Sequence, residues 1–539
     1  MNGLQKNRPG SRELHDRIGI FALAILSALM YWLLPKAGDI WWSDASRHAL
    51  DGAFLYDLAR ALPFRHPVQF ALDYYRQYPA LAIGFYPPLF SLALAGYYAI
   101  FGVSEASALA CEMTFFFLLA WGVFRLSRRW LGPTAAFAAT LLQIGAPGLL
   151  FWGRQIMLDI PAYALLIWAA VYFLRYLETS ESRPLYTAVI LAAAAIYTKY
   201  NSAFFVGVFA LTLLIARGRK AISDRQLWRA TGFAVVLVIP AVTIFLVLAR
   251  FNLAQAANGS LSGSSDSLFY YLDALPQIMS WSTVLLALSY SVGSVYLPSL
   301  RLQRSDGVFL VTWLIVGFVF YTAIAVKDPR HIIFVTYPIA LAPILLIERL
   351  PISAAWGRRF AGLALGLVTF TFSLLEGPAP FVAGPKSAAI SVAELSPPNT
   401  NVAFWGRHDG TFVFAMRCCT GRPDLGVVRL DKILFNDAAV YLERAKSQSL
   451  SGSQITDAIA GLHAQYVVFQ EGYLASEPSV RALQQELQSN RFKFVRTIKM
   501  SSNYPFSNIT RLDIYRLARN VPHTRASKPI EIRIIGITL

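Results

Sequence analysis

Apolar residues run in blocks rather than in strict alternation along most of this chain. Runs of about 18 to 20 residues, each long enough to cross about 30 Å of hydrocarbon as a helix, recur from Ile18 to Glu376 between short polar loops. They place about eleven crossings at residues 18–36, 106–126, 133–150, 160–177, 185–198, 201–216, 231–250, 281–300, 308–325, 331–347 and 360–376. The apolar run from Leu81 to Phe101 is not counted among them. Its first turn carries Tyr86-Pro87-Pro88, which cannot continue a regular helix, so only about 13 helical residues remain, a length that suits a re-entrant or interfacial segment. Two connections are long. Residues 36–79 mix Trp41, Trp42, Tyr74, Tyr75 and Tyr78 with charges and predict short amphipathic helices in the interface, while Asn258 to Ser265, inside residues 251–280, is a Gly/Ser stretch that suits a mobile lid.

Past about residue 385 the pattern changes. Pro378, Pro380, Pro385, Pro397 and Pro398 mark a linker, and beyond it β-rich runs such as Val402-Ala403-Phe404-Trp405, Tyr466-Val467-Val468-Phe469 and Leu512-Asp513-Ile514-Tyr515 alternate with helical ones such as Val480 to Leu487. The expected fold is therefore a polytopic α-helical membrane domain over residues 1–380, a linker over 381–398, and a soluble α/β domain over 399–539.

Composition narrows the class and orients the chain. With 56% hydrophobic and 15% charged residues, a soluble enzyme is excluded. The formal charge of +17 would suggest nucleic acid in a soluble protein, but here the basic residues lie in short loops, so no nucleic-acid partner is expected. Arg125 to Arg129, Arg175 to Arg183, Arg217 to Lys220, Arg301 to Arg304 and Arg349 to Arg359 should all face the cytoplasm of an inner (plasma) membrane together with the N-terminus, which leaves the C-terminal domain extracytoplasmic. The first run follows Lys6, Arg8, Arg12 and Arg17, and without an Ala-x-Ala signature before Trp41 it reads as an uncleaved anchor. Cys111 reads as a buried apolar residue, and the adjacent Cys418 and Cys419 as free or separately paired thiols, a vicinal bond being the strained alternative.

Under that orientation Asp44, Asp159, Lys199 and Lys327-Asp328-Pro329-Arg330 all reach the outer face. A charge at the centre of a spanning helix costs about 2.5–3.5 kcal/mol, so charges gathered at one set of span ends need a reason. Sugar transfer from a lipid-linked phosphosugar supplies one. Phosphate on the anomeric carbon is already a good leaving group; cations must hold it as its charge grows, and one carboxylate must take the proton from the incoming hydroxyl or amine. Asp44 is the candidate base. Arg330 and Lys327, helped by Lys199, Arg154 and His331, are the candidate donor-phosphate ligands, and Asp159 and Tyr86 the candidate acceptor-orienting groups. No cofactor or obligatory metal is expected, although two outer acids leave divalent-cation binding open. Structural alternatives stand beside these roles: Asp44 and Asp159 sit where helix caps form, Arg154 and Lys199 where side chains snorkel, and His331 at a helix end.

Asp44 beyond the first span, Tyr86-Pro87-Pro88-Leu89, Arg154 to Pro161, Thr198-Lys199-Tyr200 and Lys327 to His331 with Pro338, taken in order, resemble the landmarks of the dolichyl-phosphate-mannose protein mannosyltransferase-like group, which includes bacterial lipid A aminoarabinose transferases. The resemblance covers roughly residues 18 to 350 and implies the GT-C membrane fold, a polyprenyl-phosphate sugar donor, inversion at the anomeric carbon, and an envelope lipid, glycan or protein as acceptor. The chain departs from the group in three places: Ala45 follows Asp44 where a second acid is common, Tyr86 precedes the Pro-Pro pair in place of Lys or His, and His331 follows Arg330 in place of Tyr. The competing expectations are a lipid or sugar transporter or flippase, a polysaccharide polymerase or ligase, and a non-catalytic scaffold for the C-terminal domain.

Overall fold

A computed structural model of the chain describes residues 9–35, 39–247, 268–324, 327–350, 355–435, 447–504, 511–524, 531–532 and 537–538. The lid expected at Asn258 to Ser265 lies outside them. Among the described residues eight helices are long and apolar enough to cross a membrane: Glu13–Leu33, Glu105–Ser127, Asp159–Thr179, Tyr200–Arg217, Arg225–Val247, Arg304–Ala323, Pro329–Arg349 and Trp356–Glu376. Each coincides with an expected crossing. A further pair, Tyr270–Met279 and Trp281–Tyr296, is bent by 113° at Ser280, which takes a left-handed φ of 73°.

Three expected crossings differ, the first at 281–300, where Trp281–Tyr296 has 16 residues and reaches span length only together with Tyr270–Met279. Residues 133–150 divide into α6 (Pro133–Ile144) and α7 (Pro147–Trp152), because Pro147 has no amide hydrogen to carry the helix through. Gly145 stands at the break, where a Cβ would lie 2.6 Å from Phe370 Cα, so the crossing helix Ala355–Glu376 fits only against a residue without a side chain. Residues 185–198 form a helix of 15 residues, α9 (Ser182–Ile196), shorter than a full span.

The basic loops meet at one end of this bundle. Arg128 pairs with Asp16 in the N-terminal part of α1 (Pro9–Leu33), Arg129 with Glu178 and Asp306, and Arg349 donates to the carbonyls of Leu300 and Arg301. The opposite end carries the short helices. In α4 (Leu89–Phe101), 13 residues long, the first amide donates to the Tyr197 carbonyl just past α9; after Gly102 the chain turns directly into α5 (Glu105–Ser127), whose first turn receives the Tyr31 hydroxyl on the Ala106 carbonyl. Both ends of α4 therefore lie at the same end of the bundle. At about 1.5 Å per residue it measures about 20 Å, and it does not cross.

Above α4 lies α2 (Ser43–Ala61), linked through α3 (Pro67–Gln77) to the start of α4. Helix α2 is gripped on two sides. Gly52 lets α4 close in, since a Cβ there would sit 2.5 Å from Leu94 Cβ; on the other side Gly410 lets the helix Asp409–Cys419 close in, since a Cβ there would sit 2.3 Å from Ser46 Oγ. Asp57 near the end of α2 accepts from Arg417 Nε at 2.8 Å and from the Tyr74 hydroxyl at 3.0 Å.

The C-terminal α/β region is thus seated on α2 and α3. Its five-stranded mixed sheet runs in the order Gly426–Arg429, Asn401–Trp405, Ala464–Gln470, Arg511–Leu517, Phe492–Lys499, with the first three strands parallel and the last two antiparallel. All three β-rich runs read from the sequence fall within it. Alternation sends Val402, Phe404, Val468, Leu512 and Ile514 into the core shared with the helical domain, and Ala403, Trp405, Val467, Phe469 and Leu517 into a second core with Ile459 and Leu483. Cys111 is fully buried as expected, whereas Cys418 and Cys419 correct the sequence reading: they are bonded to each other.

Candidate active site

Asp44 stands in the first turn of α2, but it does not cap that helix. The cap position is Trp42, with no side-chain cap, and the Asp44 carboxylate instead accepts from Trp42 Nε1 at 3.3 Å and from both terminal nitrogens of Arg330 at 3.3 and 3.4 Å. Arg330 is held from its other side by Asp328, 3.0 Å from its Nε, and Asp328 also caps the 3₁₀ turn Pro329–Val335 by accepting the Arg330 amide. The guanidinium lies 5.8 Å from the Trp42 ring and 5.4 Å from the Trp152 ring at the end of α7, so it is walled by aromatic faces. Burial alone would raise the Asp44 carboxyl; the charges of Arg330, Arg47 and His48, with a hydrogen bond from Tyr86, outweigh it and hold the group down at about 2.

A second ion pair sits beside the first. Asp159 opens α8 (Asp159–Thr179) and is fully buried; one oxygen meets Lys199 Nζ at 2.5 Å and the other has no hydrogen-bond partner among the described residues. Lys199 follows α9 and holds its ammonium 5.6 Å from the Phe334 ring. Tyr86 packs edge-on against His48, with ring centroids 4.4 Å apart. His331 Nδ1 is 3.4 Å from the Tyr271 hydroxyl, and its ring stacks with Tyr321. Asp44, Tyr86, Asp159, Lys199, Arg330 and His331, drawn from five stretches of sequence, therefore form one constellation.

Two expected members bond to helix ends rather than to the ion pairs, Lys327 at the edge of the constellation, 5.7 Å from the Tyr271 ring, and Arg154 apart from it. Lys327 turns its ammonium to the carbonyls of Tyr321, Thr322 and Ile324 at the C-terminus of the helix Arg304–Ala323, where such carbonyls are otherwise unpaired. Arg154 donates to the carbonyls of Leu150 and Gly377, tying α7 to the end of Ala355–Glu376. Conversely, His48 and Trp152 join the site unannounced, and Asp328 and Trp42, read from the sequence only as an outer-face charge and an interfacial aromatic, join it as partners of Arg330. For His48 a signal existed: it stands four residues after Asp44, on the same helix face. Among the described residues no group of three or more His, Cys, Asp or Glu side chains is arranged to hold a metal ion.

Asp51 extends that face by one turn and is buried, with one oxygen accepting the Ala82 amide at 2.8 Å. Burial pushes its pKa up to about 8, with the Ala82 amide and Arg47 acting the other way. The folded state keeps a proton that the unfolded chain releases near pH 4, so this contribution is complete below about pH 4 and is lost as pH rises to about 8. Asp51→Asn keeps an acceptor for Ala82 and cannot ionise. Its melting temperature in detergent should exceed that of the native protein by a margin that widens from pH 5 to pH 8; a margin independent of pH rules Asp51 out as the group responsible.

Residues 86–244 match the family model of dolichyl-phosphate-mannose-protein mannosyltransferase. In structure the chain is similar to ArnT from Cupriavidus metallidurans bound to undecaprenyl phosphate, with a TM-score of 0.59 and 15% identity over 93% of this chain and 99% of that one. It is similar to a mutant of the arabinofuranosyltransferase AftD from Mycobacteria, with a TM-score of 0.54 and 14% identity over 94% of this chain and 42% of that one. It is also similar to the apo oligosaccharyltransferase of Archaeoglobus fulgidus, with a TM-score of 0.52 and 11% identity over 91% of this chain and 75% of that one. Comparison with curated proteins by sequence gives no significant match. The span pattern, the sheet-bearing C-terminal region and these likenesses agree on one architecture: the chain is a multi-pass membrane protein of the GT-C fold, and residues 86–244 of its helical domain are similar to the mannosyltransferase family model.

Proposed function

We propose that the protein is an inverting glycosyltransferase that moves a sugar from a polyprenyl phosphate to an acceptor hydroxyl or amine at the extracytoplasmic face of a cell's inner membrane. The observation that carries this reading is Arg330, a guanidinium fork walled by Trp42 and Trp152 and directed at a carboxylate. Such a fork suits a phosphate as well as it suits Asp44. ArnT, similar in fold, is described bound to undecaprenyl phosphate, and the isoprenoid tail of such a donor would lie among the lipid-facing helices.

On donor binding the phosphate takes over Arg330, and Asp44, released from the ion pair, faces the acceptor. The acceptor oxygen or nitrogen bonds to the anomeric carbon as its proton passes to Asp44; the bond from that carbon to the phosphate oxygen breaks, and its electron pair leaves with the polyprenyl phosphate. Attack opposite the leaving group inverts the centre. Arg330 stabilises the growing negative charge, and Lys199, held by Asp159 one shell further in, adds a second positive charge to the pocket. Lys327 and Arg154 support this arrangement through the helix ends they tie.

The test is donor choice. Purified protein given radiolabelled undecaprenyl-phosphate sugars and an envelope lipid extract should release undecaprenyl phosphate and label the extract. Turnover confined to undecaprenyl-diphosphate donors would replace this reading with that of a ligase.

A further inference from the structure

Beside the start of α2 the chain leaves an opening that the transfer mechanism does not use. A crevice of about 360 Å³, part of it open to solvent, lies between the end of α1, the start of α2, the start of α5 and the loop after α7. Asp39, Trp41, Ala45, Glu105, Arg154 and Gln155 line it. Its charges are unmatched at close range. Arg154 is 6% exposed and donates to the Leu150 and Gly377 carbonyls, with no acid paired to it among the described residues. Asp39 and Glu105 likewise have no ion pair there. Asp39 accepts the Lys386 amide at 2.9 Å, while the Lys386 ammonium acts on both acids from a distance without pairing with either. Gln155 is as buried as Arg154, and its Oε1 has no hydrogen-bond partner among the described residues.

We propose that this crevice is the acceptor-headgroup subsite of the enzyme, built for a membrane lipid whose headgroup carries both a phosphate and an ammonium. The inference rests on the glycosyl-transfer reading and names its acceptor class. Asp39 and Glu105 lie near enough for their charges to repel, so a cation between them is favoured, and Gln155 Oε1 offers ammonium hydrogens a further oxygen. A buried guanidinium without a counter-ion favours an anion, and phosphate suits its fork. One headgroup answers both demands. Position selects a lipid over a free solute: the crevice adjoins the last turn of α1, at the end of the bundle away from the basic loops, where Trp32 and Leu33 are exposed as in an interfacial belt. Headgroups lie at that level. Ala45 is the link to the chemistry. It forms part of the crevice wall next to Asp44, so a headgroup seated there reaches the base, in space that a longer acid at position 45 would occupy.

The probes are dihexanoyl phosphatidylethanolamine, which carries both charges, and the matching phosphatidylglycerol and phosphatidylcholine, which lack the ammonium or its hydrogens. With purified protein in detergent, the ethanolamine lipid should bind about tenfold more tightly than either, the scale of one charged hydrogen bond. Glu105→Gln should erase that preference, and Arg154→Gln should weaken all three lipids about tenfold. Arg154 also ties helix ends, so Glu105→Gln is the deciding variant. In the undecaprenyl-phosphate sugar assay it should raise the KM for the envelope lipid extract about tenfold with donor KM and kcat unchanged, a split that a general loss of fold does not give. Equal affinity for the three lipids, or a Glu105→Gln protein that keeps the preference, overturns the subsite. So does a Glu105→Gln protein that loses the preference yet keeps the native acceptor KM, since the bound lipid is then a resident and not an acceptor. Absence of transfer by native protein from any polyprenyl-phosphate sugar fails the glycosyl-transfer reading instead, and the binding comparison still decides whether the crevice takes the headgroup.

Discussion

Arg330→Ala is expected to cut sugar transfer by about 10²–10³-fold, the loss typical when one preorganised donor to a developing oxyanion is removed. The argument begins with position. Arg330 is fixed three ways, by Asp328 on its Nε, by Asp44 on its terminal nitrogens, and by the Trp42 and Trp152 rings on its faces, so little reorganisation is needed when phosphate arrives. Lysine at this position keeps one charge but loses the planar fork, and Arg330→Lys should retain more transfer than Arg330→Ala while remaining well below native. Binding separates this from a general loss of fold. Undecaprenyl phosphate should bind Arg330→Ala more weakly, with the effect shared between affinity and turnover because the phosphate is held in the ground state and more tightly as it leaves. Because Asp44 and Arg330 touch, the double variant Asp44→Asn, Arg330→Ala should lose less than the two single losses combined. Native turnover in Arg330→Ala would remove the phosphate clamp from the mechanism.

Sequence made this site partly legible because charge is costly in an apolar chain. Asp44, Asp159, Lys199 and Arg330 stand out against their surroundings, and the basic-loop rule sends them all to the same end, where the structure brings them into two adjoining ion pairs. The rule cannot say where a long side chain turns. Lys327 and Arg154 obey the same charge pattern, yet their nitrogens close helix ends, a use that depends on where Arg304–Ala323 and Ala355–Glu376 stop rather than on local spacing. Proline carried more than its share of the fold. Tyr86-Pro87-Pro88 correctly shortened α4, and Pro147 after Gly145 announced the break between α6 and α7 that the hydropathy run concealed. Docking of the C-terminal region was not legible at all. Arg417 reaches Asp57 across 360 residues of sequence, and Gly410 meets Ser46 only after both domains are built. His48 escaped notice because a histidine on an interfacial helix looks like a surface residue until the Tyr86 ring packs against it and it is buried.

Asp44→Asn should lower transfer by about 10²–10⁴-fold, the contribution of a positioned general base, while leaving donor binding undiminished. The second half of that expectation is the sharper one. In the empty site Asp44 and an incoming phosphate compete for one guanidinium, so neutralising Asp44 removes a competitor, and undecaprenyl phosphate should bind the variant as tightly as native or more so. Asn preserves the side-chain shape and can still accept from Trp42 Nε1, so α2 keeps its place between α4 and Asp409–Cys419. The pH profile adds an independent readout. Burial alone would raise the Asp44 carboxyl, yet Arg330 and Arg47 hold it near 2, so it is ionised throughout pH 4 to 9 and its own titration cannot produce an acidic limb in that interval. A limb near pH 4 in the native enzyme belongs to a neighbouring group, and His48, held at about 4, has the matching value. Transfer by Asp44→Asn at the native rate, or tight donor binding that disappears with the carboxylate, would mean that the acid and the arginine do not divide acceptor and phosphate between them.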